Sequence, residues 1–164
     1  MTLDQNPAAS AASHQTDDAL RGLIDRIPYV KFMGIGFERH GDEITSVMPF
    51  VDLLIGNPFL PALHGGATAS FLEVAAVTEL MWFLLSAQPT APAGDTAQFP
   101  AIPKTIDITV DYLRPGLPQD AFARARIVRS GRRYATVHVE GWQASRTKLF
   151  VQATAHFLMP ERNG

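Results

Sequence analysis

The chain has 164 residues, of which 46% are hydrophobic, and 14 Lys and Arg stand against 16 Asp and Glu for a formal net charge of −2. That is length for one domain with a true core. The balanced charge, with no basic tail or long charge run, argues against nucleic acid or an anionic membrane as the main partner. There is no cysteine, which excludes disulfides, thiolate zinc sites and a cysteine nucleophile.

Residues 1–15 carry Ala, Ser and Gln, with neither a basic start nor a continuous apolar run. They are expected to form a disordered tail, not a secretory signal, ahead of a single domain over residues 16–160, and the expected location is cytoplasmic. Thr16 or Asp17 then caps a short predicted helix in which Leu20, Leu23, Ile24 and Ile27 recur at helical spacing and which Pro28 ends. Phe32 to Arg39 and Glu43 to Phe50 read as two strands joined by a turn at His40-Gly41-Asp42. From Asp52 to Leu63, Gly56-Asn57-Pro58 and Pro61 are punctuation against regular structure and deliver the chain to a glycine pair.

That pair, Gly65-Gly66, follows His64 and opens the most apolar stretch of the chain. From Ala67 to Leu85 nearly every residue is apolar or small, the pattern of a helix buried on nearly all sides. The stretch is almost long enough to span a bilayer, but Glu73 and Glu79 within it argue against a membrane. A helix start leaves backbone N–H groups unpaired at the positive end of the dipole, and glycines let an anion or a polarised carbonyl approach them. Gly65 and Gly66 are therefore a candidate oxyanion site. Glu73 has Ala69, Ser70, Ala76 and Val77 three and four residues away, so no Lys or Arg on its own helix can pair with it. A carboxylate so placed finds donors elsewhere in the fold or has its pKa raised, and Glu73 is the first candidate for catalysis. The bland alternative is a structural buried acid for Glu73 and a helix-capping histidine for His64. Glu79 keeps the same apolar company but lies six residues farther from the glycine donors.

Ser86 to Pro103 is Pro-rich and reads as an irregular surface connection. Beyond it Ile106, Ile108, Val110 and Tyr112 alternate with polar residues, a strand with one buried face. Ala121 to Val128, Tyr134 to Gln143 and Lys148 to Leu158 are three further strands, and Ala121, Ala123 and Ala125 on one face would let a helix lie close. His138, Glu140 and His156 are not at metal-ligand spacing on one element, so no metal is expected. About six strands and one helix too apolar to face water define an α+β fold, a curved antiparallel sheet wrapped around that helix.

This order, with Gly56-Asn57-Pro58, then Leu63-His64-Gly65-Gly66, and an acid nine residues past the histidine, resembles the hot-dog fold acyl-CoA thioesterases of the phenylacetate-pathway and 4-hydroxybenzoyl-CoA types. The resemblance covers about Ile27 to Leu158. It implies that Glu73 activates water or attacks the thioester and that the Gly65 N–H polarises its carbonyl, with His64 shaping the loop. It further implies that Asn57 helps hold water or the carbonyl, and that Thr105 is contributed by the partner subunit of a homodimer or dimer of dimers. Glu73 stands where many members have Asp, and Asn57 lies seven residues before His64 where some members have six. Gly66 and the rim arginines Arg114, Arg132 and Arg133 would meet the substrate, the arginines its CoA phosphates, although turn arginines are as often simply solvated. Phe32, Met33 and Phe59 are expected pocket walls. Hydrolysis needs no cofactor beyond the CoA that is part of the substrate. Two rival readings are an acyl-thioester dehydratase or hydratase, disfavoured by the double glycine, and a hot-dog module that binds an acyl-CoA or aromatic ligand without turning it over.

Overall fold

The computed structural model describes residues 7–87 and 101–161, with side chains from His14 onward. Most of the expected Pro-rich connection falls outside them. Helix α1 runs Pro7–Ile24, so it starts within the stretch expected to be a tail. Pro suits the first helical position and the Ala-rich run that follows is strongly helix-forming. Leu20, Leu23 and Ile24 are buried, and α1 packs on the long helix and on the first strand. Arg39 fastens it, its Nε donating to both carboxylate oxygens of Asp17 at 2.7 and 2.8 Å while its guanidinium lies over the Trp82 ring.

Pro28 does not simply end that helix. It opens a second one, α2 (Pro28–Met33), which Gly34 closes at φ +65°. Phe32 and Met33 are therefore helical, and the first strand, β1 (Gly36–His40), is shorter than expected. A tight turn with Gly41 at φ +63° leads into β2 (Glu43–Met48). The connection expected to be irregular contains a short 3₁₀ turn and a two-stranded ladder, β3 (Ile55–Asn57) with β4 (Ala62–Leu63). Helix α3 (Gly65–Ser86) follows, and then β5 (Lys104–Tyr112), β6 (Ala121–Ser130), β7 (Tyr134–Trp142) and β8 (Val151–Leu158).

The main sheet has six strands, all antiparallel, in the order β1-β2-β6-β7-β8-β5. Alternation works as expected on its inner face, where Ala121, Ala123, Ala135, Val137, Val139, Ala153, Ala155 and Phe157 are all buried. The small residues let α3 come close. At Gly141 even a Cβ would lie 2.6 Å from Val151 Cγ1, so this part of the core has no spare room. Helix α3 buries Phe71, Leu72, Ala75, Ala76, Leu80, Met81 and Leu84 against the sheet and α1, and leaves other faces half-covered.

Strand β5 departs from its expected pattern. A bulge between Thr105 and Asp107 takes Ile106 out of the alternation and leaves it 52% exposed. Tyr112 is likewise 54% exposed, because β5 is the sheet edge and has no strand neighbour on one side among the described residues.

Candidate active site

The start of α3 is built from both sides. His64 is its N-cap, in an extended conformation, with Nδ1 accepting from the Gly66 N–H at 3.0 Å. The His64 N–H donates to the Leu54 carbonyl at 2.7 Å, and its carbonyl accepts from the Thr68 N–H at 3.0 Å. Gly56 lies so close beneath that a Cβ there would fall 2.6 Å from His64 Cα. The two glycines of the motif thus part company. Gly66 spends its N–H on the histidine, whereas the Gly65 N–H makes no hydrogen bond among the described residues and is a free donor at the positive end of α3. Of the capping and chemical roles open to His64, the capping one is visible here.

Glu73, two turns on, is half-buried and accepts a hydrogen bond from the Thr105 hydroxyl at 2.5 Å. This pairing lies within one chain, where Thr105 was expected to come from a partner. The bulge beside Thr105 sits where edge strands commonly re-aim a side chain. Asn57 is engaged locally. Its side-chain oxygen accepts from the Phe59 and Leu60 N–H groups at 3.0 and 3.2 Å and so holds the turn between β3 and β4. Arg114, just past β5, donates to the Leu149 carbonyl at 2.6 Å. Arg132 and Arg133 are exposed at the β6–β7 turn, at the end of the sheet where Tyr134, Leu158 and Lys104 align, the far end from Tyr112.

Two hollows flank α3. One of about 370 Å³ is lined by Tyr29, Phe32, Met33, Leu53, His64 and Ser70, at the helix start. Phe32 and Met33 stand there as expected, while Phe59, 94% exposed, does not line it. The other, about 220 Å³, opens where β2 pairs with β6 only over Ser46 to Met48. Arg124 bridges the gap there, from Thr45 Oγ1 at 2.8 Å to the Glu43 carboxylate. Glu79 forms one wall, and burial pushes its carboxyl up to about 7. Among the described residues no cluster of His, Asp and Glu could hold a metal ion.

Sequence reasoning passed over Tyr112, whose hydroxyl donates to the Gly65 carbonyl at 2.7 Å, and α2 with Tyr29, whose hydroxyl meets Ser70 Oγ at 3.3 Å. Tyr112 was discoverable, since it ends the alternating face of β5 that points at α3.

Residues 57–158 match the family model described as acyl-CoA thioesterase N-terminal domain. The chain belongs to the acyl-CoA thioesterase family. Among relatives, the medium/long-chain acyl-CoA thioesterase YigI of Escherichia coli (strain K12) is 31% identical over 119 residues, 72% of this chain and 77% of that protein. A solved protein from Chromobacterium violaceum is 35% identical, with TM-score 0.62 over 92% of this chain and 96% of the other. The PaaI protein of the E. coli phenylacetic acid degradation operon shares the fold, with TM-score 0.69 at 15% identity over 90% of this chain and 95% of its own. The acyl-CoA thioesterase fold here is the expected α+β hot-dog, with α3 as the helix and the six-stranded sheet as the wrap.

Proposed function

We propose that the protein hydrolyses acyl-CoA to a free carboxylic acid and CoA in a homodimer whose two sites are each shared between protomers. The observation that carries this is an unpartnered Gly65 N–H at the start of the helix that also bears Glu73, whose carboxylate is held by Thr105. Eight residues separate Gly65 from Glu73, about 12 Å of helix, and Thr105 holds the carboxylate at the Lys104 end of β5 while Tyr112 holds Gly65 at the other end. A thioester carbon needs its base and its oxyanion donor each within about 3 Å of the reacting atoms. Strand β5 is an unpaired edge, and pairing it antiparallel with its copy across a two-fold axis brings the Thr105 end of one strand beside the Tyr112 end of the other. Glu73 of one protomer then faces Gly65 of the partner subunit.

In this arrangement Glu73 acts as base toward water or as the nucleophile. The charge that develops on the carbonyl oxygen is met by the fixed Gly65 N–H, and the tetrahedral adduct collapses with loss of the CoA thiolate. In the base route that sulfur takes up the proton Glu73 removed from water, and in the nucleophilic route water then hydrolyses the mixed anhydride left on Glu73 to release the acid. The apolar hollow beside Phe32, Met33 and Leu53 favours a medium or long aliphatic acyl group, in line with the name of YigI. Arg132 and Arg133 lie at the Glu73–Thr105 end of the sheet, where a phosphate of CoA would find them exposed.

Thiol release from short-chain, long-chain and aromatic acyl-CoAs tests the reading. Glu73→Gln is expected to lower kcat by about 1,000-fold with the fold intact. Gly65→Pro deletes the donor at a position whose backbone accepts proline, the first of the helix, with His64 before it already extended at ψ 128°, although its ring also presses on Tyr112, whose oxygen a Cβ there would approach to 3.3 Å; a loss of about 100-fold or more is expected. Full turnover in either variant would remove that residue from the mechanism.

A further inference from the structure

The two glycines that open α3 carry a cost: without side chains, a Gly-Gly link is the least constrained backbone the chain can make, and an oxyanion donor must be fixed before the charge forms. The Gly65–Gly66 peptide is gripped at both its polar atoms. Its N–H, that of Gly66, donates to His64 Nδ1 at 3.0 Å, and its C=O, that of Gly65, accepts from the Tyr112 hydroxyl at 2.7 Å. The histidine comes from the helix's own cap. The tyrosine comes from the last residue of β5, 47 residues away in sequence and on the face of the sheet toward α3. The fit is close, since a Cβ on Gly65 would already stand 3.3 Å from the Tyr112 oxygen. With this peptide plane held, the rotation that would swing the neighbouring Gly65 N–H off its aim is blocked from one side.

We propose that Tyr112 is a positioning residue for thioester hydrolysis: its hydroxyl locks the Gly65–Gly66 peptide so that the Gly65 N–H stays directed at the carbonyl oxygen of the substrate. This rests on the hydrolase reading given above and adds to it a group that never touches the substrate. The same strand supplies Thr105, which holds Glu73, so one edge strand sets both the acid and the oxyanion donor through hydroxyls at its two ends.

Tyr112→Phe removes only the hydroxyl. With an acyl-CoA that the wild-type chain hydrolyses, kcat is expected to fall about tenfold, less than the roughly hundredfold loss expected when a donor is deleted outright. KM, and the affinity for a non-hydrolysable thioether analogue of the same acyl-CoA, should stay within about twofold, because ground-state binding does not use the aimed donor. The Gly66 amide resonance of a ¹⁵N-labelled protein should move as well, a readout that needs no turnover. Unchanged kcat overturns the assignment, and so does a variant that fails to fold, since the role claimed is confined to one peptide. A wild-type chain that releases no thiol from any acyl-CoA would instead sink the hydrolase reading, and a shifted Gly66 resonance would still report the clamp.

Discussion

Glu73 and Glu79 are two carboxylates on one apolar helix, and their surroundings give them different properties. Glu73 receives a hydroxyl from Thr105. Glu79 has no hydrogen-bond donor among the described residues, and burial raises its carboxyl from 4.5 to about 7. Sequence spacing separated the two acids only by their distance from the glycine pair and showed that neither has a helical partner; that Thr105 of the same chain bonds Glu73 was not legible, since this donor arrives from a strand 32 residues on. The raised value makes stability depend on pH. Between about 4.5 and 7 the native state holds a proton that the unfolded chain has released, so this group's share of stability is fully present below 4.5 and is lost as pH rises through 7. Glu79→Gln, which cannot ionise, is expected to match the wild type at pH 5 and to be more stable at pH 8. The gain should be about 1 kcal/mol once solvent screening of a half-buried group is allowed for. Thermal unfolding at the two pH values checks it, and an equal shift at both would mean that the side chain matters through its shape and not its charge.

At the level of elements, period and punctuation were enough for the six main strands, the hairpin at Gly41 and the long helix, because each of these answers to local residue types. What was not legible were boundaries that depend on contact. Pro28 reads equally well as the end of one helix or the start of the next, and only the burial of Val30 and Met33 decides for the second. The Ile55–Asn57 and Ala62–Leu63 ladder is too short to leave a pattern of two, and the bulge at Thr105 breaks the very alternation used to find its strand. Helix α1 shows the same limit, since its anchor, Asp17 to Arg39, joins segments 22 residues apart. That anchor is half the attachment; the other half is apolar, and Leu20 is completely buried. Leu20→Ala should therefore cost about 2–4 kcal/mol in chemical denaturation, as for other fully buried leucines. A cost below about 1 kcal/mol would show that α1 is a dispensable flank and not part of the core.

The whole molecule is where the two halves of the chemistry have to meet. Within one chain the acid is tied to one end of β5 and the free N–H to the other, and both lie beside an edge that leaves its own apolar residues half-exposed. In the proposed homodimer, antiparallel pairing of that edge with its copy would cover those residues and join the acid of one protomer to the donor of the other, giving assembly and catalysis one cause. A dimer with shared sites differs from one with self-contained sites in a way that mixing reveals. Glu73→Gln and Gly65→Pro chains are each expected to be nearly inactive alone. If sites are shared, a mixed dimer collects both defects in one site and leaves the other with an intact Glu73 and an intact Gly65. If sites are self-contained, each site keeps one defect. Unfolding the two variants together and refolding them at equal concentration should make half the dimers mixed, and the recovered thiol-release rate should approach about a quarter of wild type by that statistics. Light scattering on the same sample should give twice the 17.9 kDa chain mass or a multiple of it. Recovery no greater than the sum of the separate variants, from a sample shown to contain mixed dimers, would return the acid and the donor to a single chain.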